Sequence, residues 1–346
     1  MHKMLTGASF KSQCSSKLET YLKHNNKYMS PVIIYKNGNT SVEINAKTGT
    51  RVINKPNSEP QKLEFPFSID LSITSKCDKG CSFCYKNCNQ AGKNGDLNNK
   101  FLNTLHKGTE LAIGGGNPLE HPDLEQFLQN INNRGVLASL TVNIDHFIQN
   151  KEKLLKWHEK DLIKGLGISV QEEDILSDKY NEIPNEDFIV LHTILGLIPI
   201  EALLKIIDRK VLLLGYKELG RGKPKDVAEK ANLSRKVHEI ADYITRLIRI
   251  AKSLAFDNTA LKQCHLTIDN LKRLGVEHLF NGHDFDLSSG SMYIDLAEEY
   301  YSNSSINTQV KVPLKEQTIE EIWKNLEIEV EKYNKTRKLT TSWTTI

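Results

Sequence analysis

FSIDLSITSKCDKGCSFCYKNC, residues 67–88, is the stretch that decides the fold. Its first nine residues, 67–75, form an apolar, β-branched run, which predicts a buried strand. That strand runs directly into a loop where Cys77, Cys81 and Cys84 are spaced C-x3-C-x2-C. Gly80 and Phe83 lie between the thiols, and Cys88 follows. Thiolates are soft ligands suited to zinc or to iron–sulfur clusters. Three of them hold three irons of a cubane cluster and leave the fourth iron open. With Cys88 as a fourth ligand, the same loop suits a structural zinc ion. Cys88 outside such a cluster is an inert bystander or an extra thiol.

Outward from this loop the chain acquires a rhythm. Strand-like runs at 110–116, 136–143, 164–170, 187–195 and 210–217 alternate with helical stretches at 97–108, 123–135, 148–162, 173–181 and 199–208. Gly108, Gly135 and Gly165 stand where helices should stop. Six strands alternating with helices predict parallel βαβ units with right-handed crossovers. In such sheets, sites form at the carboxyl ends of the strands. The loops to search therefore begin near Ser75, Gly114, Asn143, Val170, Leu195 and Lys217.

Motif, position and order together resemble the radical S-adenosylmethionine (SAM) superfamily, whose CxxxCxΦC signature follows the first strand of a partial (β/α)6 TIM-type barrel. The resemblance covers about residues 67–222, and more loosely extends to 270. It implies an α/β fold in which Cys77, Cys81 and Cys84 hold a [4Fe–4S] cluster and SAM chelates the open iron. One-electron reduction then releases a 5′-deoxyadenosyl radical that abstracts hydrogen from a substrate. Cofactors carry such chemistry while the protein orients them. The run Gly114-Gly115-Gly116-Asn117-Pro118 resembles the family's GGE motif, which holds the amino group of SAM; by this resemblance Gly115, Gly116 and Asn117 bind SAM. Asn117 stands where the family has an acid. An amide oxygen accepts a hydrogen bond without adding charge, so weaker SAM binding is expected. Phe83 within the motif, Asn143, Ser169 (with Gln171 as its neighbouring alternative) and Leu197 in the 196–199 segment match further SAM-facing positions. Each of these single strand-end residues is equally read as an ordinary cap. A flavodoxin or ferredoxin electron donor is implied by the resemblance alone.

The remaining chain is read from its residues. Two or three short strands at 31–55, with turns at Asn37-Gly38 and Thr48-Gly49, predict a β-hairpin appendage, and 54–62 reads as a linker. The charged amphipathic stretch 233–254 precedes a strand-helix unit ending near 274. A strand at 291–296 and a helix at 318–333 complete a C-terminal α+β extension. The expected divisions are 1–62 as an N-terminal extension, 63–270 as the barrel, and 271–346 as an extension with a substrate-facing lid at 281–295 that includes His283 and Asp284. Asp257 caps a helix or closes the barrel's open side. His192 is a core histidine, and Lys217, Glu218 and Arg221 face substrate or solvent. Cys264 is a buried apolar thiol, or the hydrogen donor of an epimerase.

The exclusions are broad. With 46 Lys+Arg against 43 Asp+Glu, the net charge of +3 is too small for bulk attraction to nucleic acid. No apolar leader and no run long enough to span a membrane is found, so a cytoplasmic protein is expected. Gly220-Arg221-Gly222-Lys223 is too short for a phosphate loop. The late chain contributes only Cys264 after Cys88, too few thiols for an auxiliary-cluster domain. The substrate is then a peptide or protein side chain or backbone, with a nucleotide or other small molecule as the alternative. A zinc- or cluster-binding protein without catalysis is the reading from another class.

Overall fold

The computed structural model describes residues 32–46, 51–54, 59, 61–266, 268–273 and 290–341. His283 and Asp284 of the expected lid lie outside the described residues. Near the start, β1 (Val32–Asn37), β2 (Thr40–Asn45) and β3 (Arg51–Asn54) form a three-stranded antiparallel sheet. Alternation explains its packing: Ile33, Val42 and Ile44 turn inward onto Phe67 and Leu137. Arg51 also pairs with Glu110 at 2.9 Å, and Asn37 Nδ2 donates to the Phe65 carbonyl at 2.7 Å. The expected hairpin is therefore a three-stranded sheet docked where the main strands begin.

The main sheet contains β4 (Ser68–Thr74), β5 (Glu110–Gly115), β6 (Leu137–Asn143), β7 (Gly165–Ser169), β8 (Ile189–Ile194), β9 (Lys210–Leu214) and β10 (Ser253–Phe256). These pair in parallel in sequence order. On the far side of β4, β11 (Ser291–Asp295) also pairs in parallel, and β12 (Tyr300–Ser302) and β13 (Val312–Pro313) add an antiparallel edge. The order β10-β9-β8-β7-β6-β5-β4-β11-β12-β13 does not close on itself. The architecture is mixed α/β around a large, open, mostly parallel sheet. From the 271–346 segment, β11 joins this sheet beside the strand that feeds the cysteine loop.

One face of the sheet is apolar. Ile69, Leu71 and Ile73 of β4 and Leu111 and Ile113 of β5 pack with Leu124, Phe127, Leu128 and Ile131 of α1 (Leu124–Asn133). The other face carries Asp70, Ala112, Ser139 and Thr141, all half-buried or exposed. The sheet also curls. Asp70 on β4 feels the charge of Asp257, which follows β10 six strand spacings away. In a flat sheet those spacings would amount to about 29 Å, far beyond such reach.

Several expected helices are shorter than their apolar spacing suggests. In 97–108 there is only a 3-10 turn, Lys100–Asn103; Asn99 accepts from Phe101 N and the Thr104 hydroxyl donates to the Phe101 carbonyl, side-chain bonds that compete with helix. The 148–162 stretch is divided at Asn150 between α2 (Ile144–Gln149) and α3 (Lys151–Glu159), with Asn150 Nδ2 bonded to the His146 carbonyl. The stretch 173–181 gives one turn, α4 (Glu172–Ile175), and a 3-10 turn at Asp178–Glu182. Another single turn, α5 (Ile200–Leu203), replaces the helix at 199–208, which ends at Asp208 with φ +54°. Two helices, α6 (Val227–Asp242) and α7 (Ile244–Ile250), occupy most of 233–254, and α8 (Asn258–Gln263) follows β10. The last is α10 (Ile319–Thr341), with α9 (Ile268–Arg273) before it. Among the described residues, no helix is long and apolar enough to cross a membrane.

Candidate functional site

The cysteine loop leaves the carboxyl end of β4 and is held by its own backbone. Cys77 N donates to the Asn89 carbonyl at 2.9 Å, Asn89 N to Ser75 O at 3.1 Å and Cys84 N to Cys81 O at 3.2 Å. Cys77, Cys81 and Cys84 are half-buried and Cys88 is buried. The neighbouring turn clasps the loop from the side: Gly116 N donates to Thr74 O and Asn117 N to Lys76 O, both at 2.7 Å. Only glycine fits there, since a Cβ on Gly116 would lie 2.0 Å from the Lys76 carbonyl oxygen.

A second clasp comes from across the sheet. Arg221, after β9, donates Nε to the Cys81 carbonyl and Nη2 to the Cys88 carbonyl, each at 2.9 Å, and its backbone N–H to the Cys84 carbonyl at 3.0 Å. Gly220 and Gly222 sit so close that a Cβ on either would crowd the loop carbonyls at Tyr85 or Phe83. From the outside, Asp78 bonds His146 at 2.6 Å, and Lys79 pairs with Asp145 of α2. From the inside, Lys86 Nζ reaches Asp295 at 2.7 Å and Tyr293 OH at 2.6 Å, and also bonds Ser72.

The thiols differ in their readiness to ionise. The Cys88 thiol, as a hydrogen-bond donor, holds Cys84 down, helped against burial by backbone N–H groups; Cys88 itself is pushed up. Cys77 and Cys81 are raised chiefly by burial, to which the charge of Asp78 adds at Cys77 and that of Cys84 at Cys81. Thiolates crowded in one partly dehydrated loop favour a cationic centre between them, and their softness suits iron. Among the described residues, no three Cys, His, Asp or Glu side chains are gathered tightly enough to hold a single metal ion. Soft thiols of this kind suit zinc or an iron–sulfur cluster, and the loop's backbone supplies the frame.

The other expected residues occupy consecutive strand ends. Gly115, with φ +125°, and Gly116 adjoin the cysteine loop at the end of β5. Asn117 is buried, and its oxygen accepts from Leu119 N at 3.2 Å while its Nδ2 donates to Glu120 Oε1 at 3.1 Å. The amide thus holds out a carboxylate three residues on. Asn143 caps α2 by accepting from Asp145 N at 3.0 Å. Ser169 is its register partner on β7 and is half-buried. Leu197 is half-buried in the turn after β8, and Phe83 is half-buried with its carbonyl facing Gly222. Asp257 caps α8, accepting from Ala260 N at 2.7 Å, and also from Gly215 N at 2.9 Å.

Cys264 is elsewhere. It ends α8 within the main apolar core, and burial alone pushes its thiol up to about 12. That is the setting of a packed, protonated thiol. His192 lies over Gly167, where burial brings its imidazole down to about 4 and keeps it neutral. Sequence reasoning missed Lys86, Asp295 and Glu120, and left Arg221 without a partner. A motif search has no signal for a side chain whose partners are carbonyls. Glu120 stood in the sequence only within the 119–122 stretch that follows the glycine run, with no role of its own.

No protein family and no curated protein matches the chain. Among solved structures, it resembles Streptococcus suis SuiB bound to the precursor peptide SuiA, at a TM-score of 0.53 and 13% identity over 84% of this chain and 87% of that one. SuiB bound to S-adenosylmethionine gives 0.51 and 12%, over 84% and 86%. At this identity the likeness is one of fold: the chain folds like SuiB over most of both lengths.

Proposed function

We propose that the chain is a radical SAM enzyme whose six strands from β4 to β9 form the partial barrel of that superfamily. The observation that carries the proposal is the three-thiol loop at the end of β4, framed on two sides by close glycine backbone, in a fold like that of SuiB. Cys77, Cys81 and Cys84 are the cluster ligands. The cluster and SAM, when bound, supply one-electron cleavage of the sulfonium and a 5′-deoxyadenosyl radical that takes hydrogen from substrate.

The chain's own residues hold these groups and keep them apart from water. Arg221 and the Gly116 turn fix the backbone of the loop that carries the thiols. Gly115 and Gly116 let the SAM backbone approach closely. Glu120, presented by Asn117, accepts the SAM ammonium and replaces the acid missing at 117. Asn143 is committed to its helix, so Ser169 offers the nearest strand-end hydroxyl to the ribose. Leu197 and Phe83 give apolar cover. A flavodoxin- or ferredoxin-type protein is the electron donor. The preferred substrate class is a peptide, because SuiB, similar in fold, has been seen with a precursor peptide.

The test is 5′-deoxyadenosine formation by the anaerobically reconstituted chain with SAM and dithionite, beside Cys81→Ala. Formation that depends on the cysteine is expected. A full cluster that binds SAM yet gives no 5′-deoxyadenosine would turn the assignment to a non-catalytic cluster protein.

A further inference from the structure

On β8 and β9 the sheet face turned away from the helices carries Val190, His192, Ile194, Leu212 and Leu214, while on β4 to β7 the same face carries short side chains. Ala112, Gly114, Ser139, Thr141 and Gly165 are all reached by water there. Barrels of parallel strands are ordinarily filled at these positions by bulky branched residues. Short ones leave a hollow. Asp70 stands in it, between Ala112 of β5 and Tyr293 of β11 in register.

Two properties of Asp70 belong together only in a concave, open-mouthed space. Water reaches the residue, yet protein encloses it enough that burial raises its carboxyl above the ordinary range. Among the described residues no hydrogen-bond donor or ion-pair partner meets it; Lys217 and Asp257 act on it only through space. The other charges around the hollow are committed. Lys86 pairs with Asp295, Lys217 donates to Ser305 at 3.1 Å over the Tyr85 ring, and Asp257 accepts two backbone N–H groups. A carboxylate with no direct partner in partly dehydrated surroundings, met by Lys217 only through space, costs stability, and such groups concentrate where ligands bind.

We propose that this hollow takes a substrate through a positively charged group, a primary ammonium or a guanidinium, seated on Asp70. On a peptide that group is a lysine or arginine side chain. Calling the occupant a substrate rests on the proposed function; the binding itself needs neither cluster nor SAM.

The experiment is ligand-observed NMR on the full-length chain with Nα-acetyl-lysine N-methylamide and its norleucine and glutamate counterparts. The lysine probe is expected to bind at roughly millimolar concentration, and the norleucine probe roughly tenfold more weakly, as loss of a charged hydrogen bond dictates. Asp70→Asn should remove that preference without lowering the melting temperature. Ala112→Leu, which fills the hollow but keeps the carboxylate, should remove binding of the lysine probe, and it serves if Asp70→Asn does not fold. Equal binding of lysine and norleucine, a preference that survives Asp70→Asn, binding that survives Ala112→Leu, or a preference for glutamate would each overturn the inference. Formation of 5′-deoxyadenosine without a lysine preference defeats the subsite alone; a lysine preference without 5′-deoxyadenosine defeats the catalytic assignment alone.

Discussion

At the scale of single residues, the exchange between positions 117 and 120 is the sharpest feature. Asn117 spends its oxygen on a backbone N–H and its amide on Glu120. Glu120→Gln should weaken SAM binding roughly tenfold, the usual factor for a lost charge-assisted contact. Adding Asn117→Glu to it should restore most of the affinity, measured by equilibrium dialysis with the reconstituted protein; no recovery would place the ammonium elsewhere. Arg221 makes a second test. Arg221→Ala deletes two bonds to loop carbonyls, so iron per chain should fall after desalting. Arg221→Lys should recover little, because a lysine lacks the planar fork that spans Cys81 and Cys88. The cysteines were legible in sequence because their spacing is local. The partner of Arg221 was not: its bonds go to main-chain oxygens, which every residue carries.

Among elements, the join between the cysteine loop and β11 depends on one buried pair, Lys86 and Asp295, with side chains 11% and 2% exposed. Burial alone would raise Asp295; the charge and hydrogen bond of Lys86 outweigh it and hold the carboxyl below its usual 3.8. A depressed carboxylate contributes stability that is complete above the unfolded value and lost as pH falls through the folded one. Urea unfolding between pH 5 and pH 2 should therefore show stability falling in the acid range, and more gently in Lys86→Met. That variant should lose about 3–5 kcal/mol at neutral pH, because Asp295 is left buried without a partner. Lys86→Met with Asp295→Asn should regain part of the loss. The strand at 291–296 was legible from its alternation, and its neighbour was not. A strand's sequence states which face is apolar but leaves open which of several similar strands it joins.

For the molecule as a whole, alternation of strand and helix disclosed the parallel sheet. What alternation omitted was the contribution of residues 291–313 to the sheet beyond β4. A chain cut after Gly290 should leave β4 without β11 and expose Ile69, Leu71 and Ile73 to loosened packing. Such a protein is expected to be insoluble or to unfold without a cooperative transition, checked by calorimetry. A soluble, cooperative fragment would show that 291–341 is an appendage after all.

The pairing of Ser68 with Ser291 also sets an order of events during synthesis. The thiols of residues 77–84 leave the ribosome long before the strand that completes their support has been translated. Domains form as their parts emerge, and exposed sulfur is vulnerable in the interval. A cluster held by these thiols, as proposed, would then be inserted after the chain is finished, and until the carboxyl-terminal strand arrives the cysteines would need a reducing environment or a chaperone that shields them.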